Sequence, residues 1–145
     1  MEKRLINFWN NCGEPYFLDE IQFWDDSMWE ERHDFIQWIF PTKKISNYNL
    51  EAPVLDDTTI TYLKQLPAFN MNLTLLVNRF KMFLTKNSQF VSPNHNWLRI
   101  SRVIDCLSIF GLYDVMFWFY DYCYVSMIDK THPSIEVWKS KLHCI

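Results

Sequence analysis

Only two of the 145 residues are glycine, Gly13 and Gly111. Tight hairpins draw on glycine for backbone conformations with positive φ, so a sheet protein of this length ordinarily carries more of it. The shortage favours helices joined by polar loops. The rest of the composition fits a globular chain: 49% hydrophobic and 21% charged residues, with a length suited to one domain with a sizeable core. Aromatic residues are the exception at 18%, among them 7 Trp and 12 Phe. A core built from this chain must therefore accommodate many large rings.

Helix signals follow in order. Glu2 to Asn11 form a short helix stopped by Gly13 and Pro15, and Tyr16 to Trp24 a turn or second short helix. Ser27-Met-Trp-Glu30 reads as a capping box opening a helix that runs to Phe40, where Pro41 ends it. An irregular connection, Pro41 to Asp56, precedes a helix capped by Asp56 or Asp57 and broken after Leu66 by Pro67. Phe69 to Lys86 have the apolar period of a long helix, at Phe69, Leu73, Leu76, Val77, Phe80 and Leu84. After a polar loop from Asn87 to Asn96, Asn96 caps a helix from Trp97 to Phe110, with Gly111 at its C-terminal side. Asp114 to Met127 follow as an aromatic, central helix, and Pro133 or Ile135 starts a last one ending near Leu142. The expected fold is all-α, a single compact bundle of six or seven helices over residues 1–145.

Several function classes are set aside. A net charge of -3 argues against bulk nucleic-acid binding. The apolar run Val115 to Tyr120 is stopped by Asp121 and is too short to span a bilayer, and the N-terminus lacks a signal-peptide core. Cys12, Cys106, Cys123 and Cys144 have no metal-ligand spacing and read as reduced, mostly buried thiols; no spacing argues for a Cys12–Cys144 bridge. No cofactor fingerprint is present. The expected setting is cytoplasmic.

Two polar patches on apolar helix faces carry the functional reading, because large polar groups among apolar ones need partners or a ligand. In the first, Glu30, His33 and Gln37 at i, i+3, i+7 fall on one stripe, bordered on one side by Trp38. In the second, a turn of roughly 100° per residue puts His95, Arg99, Arg102 and Cys106 on one stripe, beside Trp97, and leaves Ser101, Asp105 and Ser108 facing solvent. Two arginines in the opening turns of a helix suit an anion, since dipole and free N–H groups act in the same direction. Against this stands pairing with the chain's own acids: Asp19, Glu20, Glu30, Asp34 or Asp121.

The leading expectation is a pocket between these two helices. Arg99 and Arg102 hold a nucleotide-like anionic small molecule or a peptide carboxylate, His33, Gln37 and His95 orient it, and Trp38 or Trp97 supplies an apolar wall. Two other readings stay open. One is a protein-interaction module with structural arginines, contacting its partner through the 41–56 loop. The other is a hydrolase or transferase using His33 or His95, which lacks an evident nucleophile.

At these patches the sequence resembles the conserved region of the opioid growth factor receptor family. The resemblance rests on Phe17-Leu-Asp19-Glu-Ile21, on Trp29 to Pro41 with its His33-Asp-Phe-Ile-Gln37-Trp38 core, on Asn94-His95-Asn96-Trp97-Leu-Arg99-Ile-Ser-Arg102, and on Leu107 to Leu112. It covers Leu5 to Trp118. It implies an all-helical domain in a perinuclear or nuclear receptor for an opioid peptide, so a nuclear setting is allowed as well. The long polar, repeat-bearing C-terminal region of animal members is not expected for this chain.

Overall fold

The computed structural model describes residues 1–87, 89–90 and 92–142. Its chain is all-α, with no strand among the described residues, and divides into two units, Met1–Arg79 and Phe80–Ile145. Nine helical segments are present among the described residues, more than six or seven because the segment from Ser27 to Phe40 is two short helices rather than one and Leu18–Ile21 is a helix of its own. Among the described residues no helix is long and apolar enough to cross a membrane.

The first unit holds α1 (Lys3–Trp9), α2 (Leu18–Ile21), α3 (Asp26–Glu31), α4 (Ile36–Ile39), α5 (Asp57–Lys64) and the opening turns of α6 (Phe69–Lys86). Helix α1 stops at Trp9, two residues short of the expected end. Asn11 takes the left-handed conformation at φ 61°. The Cys12 N–H then reaches the Asn7 carbonyl at 3.1 Å and the Asn11 N–H the Phe8 carbonyl at 2.9 Å, which closes the helix without a glycine. Gly13, at φ 97°, is needed one turn later, where a Cβ would sit 2.8 Å from the Phe17 ring.

Helix α1 lies on α5 and on the aromatic cluster of α4 and α6. The Phe8 and Trp38 ring centroids are 5.6 Å apart and those of Trp9 and Phe69 4.5 Å. Two buried indole N–H groups have backbone acceptors: Trp9 Nε1 donates to the Trp38 carbonyl and Trp29 Nε1 to the Ile21 carbonyl, both at 3.1 Å. Arg79 of α6 fastens α3 from its N-terminal end, donating to Asp26 Oδ1 and to the Trp24 carbonyl at 2.8 Å each, with its guanidinium over the Trp29 ring.

The second unit holds the closing turns of α6, then α7 (Asn96–Ile109), α8 (Tyr113–Ser126) and α9 (Pro133–Leu142). Helix α7 packs against both α8 and α9 and is the central element of this unit. Its end is the glycine-dependent closure expected from the sequence: Gly111 has φ 72°, the Gly111 N–H reaches the Ser108 carbonyl at 3.1 Å and the Leu112 N–H the Leu107 carbonyl at 3.0 Å. Helix α8 is less central than expected. Met116, Phe119, Tyr120 and Cys123, spaced i, i+3, i+4, i+7, are its only fully buried line, and Tyr113, Phe117, Trp118 and Val125 face outward.

Rings this tightly paired leave no room for truncation. Trp29→Ala removes a fully buried indole, its hydrogen bond to Ile21 and the surface beneath Arg79. The expected loss of unfolding free energy is roughly 3–5 kcal/mol, measured by urea titration against wild type.

Candidate functional site

The first patch does not form one helical stripe. The helix that opens at Asp26 is capped by Asp25, whose carboxylate accepts from the Met28 N–H at 2.9 Å, and not by Ser27. It ends at Arg32, which is extended at φ −80° and ψ 132°. The cause is a contact distant in sequence. The Arg32 guanidinium lies 5.2 Å from the Tyr16 ring centroid and 5.3 Å from that of Trp24, and its Nη1 donates to the Tyr16 hydroxyl at 3.0 Å. Tyr16 in turn donates to Asp34 Oδ2 at 2.8 Å. Drawing Arg32 and Asp34 onto Tyr16 pulls the backbone out of the helix. It also lets Phe35 insert between Trp24 and Trp29, at 5.2 and 5.0 Å.

Glu30, His33 and Gln37 are thereby separated. Glu30 stays on α3, His33 is exposed in the connection, and Gln37 is buried in α4. The Gln37 Oε1 is enclosed and has no hydrogen-bond partner among the described residues, a buried acceptor that a water or a ligand group would satisfy. Trp38 packs inward against Phe8, with the Arg4 guanidinium 5.6 Å from its ring centroid.

In the second unit the polar groups form a chain of side-chain bonds. Asn96 begins α7 but does not cap it. Asn94 takes that part, its Oδ1 accepting from the Asn96 N–H at 2.9 Å. The Asn96 side chain is fully buried and works further in: its Nδ2 donates to Gln89 Oε1 at 3.0 Å, and its Oδ1 accepts from Arg99 Nη1 at 3.1 Å. Trp97 Nε1 donates to the Gln89 carbonyl at 2.8 Å, so Gln89 ties together the start of α7 and its first large ring. Gln89 carries no periodic or motif signal. Asn96 was legible only as a cap, because its i−3 relation to Arg99 has meaning once both are known to be buried.

Arg99 is 6% exposed and Arg102 is half-buried on the same helix. Burial pushes the Arg102 guanidinium below its ordinary value, while Cys106 and Asp105 act in the opposite direction. The fully buried Cys106 thiol is pushed up by the same desolvation, with Arg102 opposing it, so it is a poor nucleophile. His95 is exposed at the N-terminal end, with no capping side-chain bond. Trp97 is enclosed by His132 and Trp138, at ring-centroid distances of 4.8 and 5.7 Å. The face expected to meet solvent is covered by α9: Trp138 Nε1 donates to Ser101 Oγ at 2.9 Å, and Lys141 Nζ is 3.9 Å from Asp105.

The expected ligand pocket takes its residues from both units, and each half stands as given above. Within the first unit, α2 and α6 border a notch of about 210 Å³ lined by Leu18, Asp19, Gln22, Asn72, Leu75 and Leu76. It includes none of the seven expected ligand residues. No group of three or more His, Cys, Asp or Glu among the described residues is placed to hold a metal ion. Cys106 and Cys123 are buried free thiols and Cys12 is an exposed one; Cys144 lies outside the described residues.

The connection from Pro41 to Asp56 is an ordered loop. Its ends meet where the Leu55 N–H donates to the Thr42 carbonyl at 2.9 Å. Inside, the Ser46 hydroxyl accepts from the N–H groups of Tyr48 and Asn49 at 3.3 and 3.1 Å, and Asn49 Oδ1 accepts from the Glu51 N–H at 3.2 Å. Arg4 of α1 grips the Glu51 carbonyl at 3.1 Å. Thr42, Ser46, Ala52, Pro53 and Leu55 are buried, while Ile45, Tyr48 and Leu50 are 73%, 89% and 83% exposed. This is the form of an Ω-loop, packed by its own short side chains with its largest apolar groups outside.

Comparison with known proteins returned no matching family model, curated protein or solved structure.

The loop and α1 are held to α5 through one carboxylate. Asp56 caps α5, its Oδ1 accepting from the Thr59 N–H at 2.8 Å and the Thr59 hydroxyl at 2.7 Å; that hydroxyl accepts from the Glu2 N–H at 2.8 Å. The bonds from the Thr59 N–H and then its hydroxyl hold the Asp56 carboxyl down at about 2, against an ordinary 3.8. Because the folded value is the lower one, Asp56 stabilises the fold fully above pH 3.8, and that contribution is lost as pH falls toward about 2. In urea titrations Asp56→Asn is expected to be less stable than wild type at neutral pH, with the gap narrowing through this acidic window. A gap independent of pH would contradict the assignment.

Proposed function

We propose that this chain is a protein-interaction module of the opioid growth factor receptor type, with the loop between Thr42 and Leu55 as its contact. The observation that carries the reading is the exposure of Ile45, Tyr48 and Leu50 on a loop whose backbone is closed and internally bonded. Burying one such side chain is worth roughly 1.5–3 kcal/mol, and this loop spends its hydrogen bonds on shape while leaving all three in water. A loop ordered before binding loses little entropy on docking. Tyrosine and large aliphatic anchors within a polar rim, here Lys43, Lys44, Asn47 and Glu51, have the make-up of an interface centre. The resemblance set out under Sequence analysis agrees in kind, since it implies a receptor for a peptide.

A second reading is supported by a different observation. Arg99 and Arg102 are both drawn out of bulk solvent within the opening turns of α7, where a phosphate or carboxylate gains from the helix end as well as from the guanidinium groups. In this reading the ligand is a small anion, and His95 stands at its entrance.

The two readings separate by variant. Ile45→Ser/Tyr48→Ser/Leu50→Ser is expected to leave the thermal midpoint unchanged, because none of the three is buried, and to abolish binding of labelled Met-enkephalin or of the proteins recovered on the immobilised chain. Recovery of the same proteins by the triple variant would refute the loop reading. A thermal shift with inorganic phosphate or a nucleotide that Arg102→Gln removes, with the triple variant unaffected, would establish the anion reading instead.

A further inference from the structure

Helix α8 has an outward face that its own unit leaves open. Tyr113, Phe117, Asp121 and Val125 follow one another at i, i+4, i+8 and i+12, and Asp114 and Trp118 form the adjoining row. Tyr113, Phe117 and Trp118 are 38%, 41% and 43% exposed and Val125 is 74% exposed, and Ile128 extends the patch just beyond the helix end. The helix carries only two charged side chains, Asp114 and Asp121, and both lie on this face. Neither makes a hydrogen bond or ion pair to a described residue. Asp114 also suits the positive end of the helix dipole, but Asp121, mid-helix among rings, has no such reason to be there.

What this surface accepts is visible at its margins. Lys81 Nζ lies 5.1 Å from the Trp118 ring centroid and 4.9 Å from that of Tyr122. Lys130 Nζ lies 5.1 Å from the Tyr124 ring centroid and donates to the Tyr124 and Met127 carbonyls at 3.1 Å each. Two of the chain's own ammonium groups thus seat on α8, because aromatic faces and oxygen acceptors both attract cations. Tyr113 and Phe117, on the N-terminal side of Trp118, continue the same ring surface, with the carboxylates of Asp114 and Asp121 beside them. Glu136, which together with Asp121 bears on the Tyr120 hydroxyl, adds a further negative charge nearby.

We propose that the outward face of α8 docks a basic amphipathic helix of a partner protein. Asp114 and Asp121 are seven residues apart, two turns or roughly 10 Å along the axis. That spacing selects lysine or arginine at i and i+7 on the incoming helix, with aliphatic side chains between them resting on Phe117 and Val125. The acidic character of the face disfavours an anionic lipid surface or a nucleic acid. This inference is independent of the loop contact proposed above and uses different residues.

The test is fluorescence anisotropy on the full chain with a labelled amphipathic peptide of about 18 residues, bearing Lys at i and i+7 with Leu at i+3 and i+4, and a counterpart with Glu in place of Lys. The Lys peptide is expected to bind at least ten-fold more tightly than the Glu peptide, with affinity falling as salt rises. Asp114→Asn/Asp121→Asn, which exchanges exposed side chains for isosteres, is expected to weaken it at least ten-fold while circular dichroism stays unchanged. Phe117→Ser is expected to weaken it as well, with the salt dependence kept. Equal binding of the two peptides, no binding of either, or full binding by the double Asn variant would overturn the proposal. Light scattering that shows a dimer abolished by Phe117→Ser would overturn it too, by assigning the face to a second copy of the chain.

Discussion

A buried indole presents one N–H that must find an acceptor, and this requirement organises both units. Trp9 takes the Trp38 carbonyl, Trp29 the Ile21 carbonyl, Trp97 the Gln89 carbonyl and Trp138 the Ser101 hydroxyl. Each acceptor lies on a different segment from the ring, or on the loop leading into its helix. The last carbonyls of a helix have no intrahelical donor and are open to such rings, as at Ile21 and Trp38. Helices α2 and α4 are four residues each. Their carbonyls and rings are committed to neighbours rather than to longer helical ladders.

Helix α6 was legible to the residue because its apolar side chains recur at the helical period and Pro67 precedes it, signals that need no knowledge of tertiary contacts. Both glycines were legible as conformational marks, although Asn11 does for α1 what glycine was expected to do. The break at Arg32 was not legible. It depends on Tyr16 and Trp24, and no periodicity within 27–40 reports a cation held between two rings that come before it. The same limit applies to α7. Its helical period correctly placed Arg99 inside, but which groups receive it depends on Gln89 and Asn96, whose polar side chains would look the same in an exposed loop.

The chain Gln89–Asn96–Arg99 shows how a guanidinium is kept in an aromatic unit. An amide between the arginine and a second amide passes hydrogen bonding from Gln89 to the guanidinium. Arg102, less buried, keeps its charge beside Asp105, which also meets Lys141 of α9. The polar stripe of α7 is thus graded, from an exposed His95 through a fully enclosed Arg99 to a half-buried Arg102 and the closed Cys106.

Interiors so rich in rings make the exposed apolar groups more informative. Singly exposed hydrophobic side chains are ordinary on any surface and carry no meaning. In this chain two sets of them stand together. Ile45, Tyr48 and Leu50 occupy one closed loop, and Tyr113, Phe117, Trp118 and Val125 occupy one face of one helix. The loop is shaped by bonds that its short side chains make, and the helix face is set by a buried line on its far side. In both places the fold has fixed the backbone first and left the larger side chains uncovered, an arrangement whose favourable burial is realised only when something else arrives.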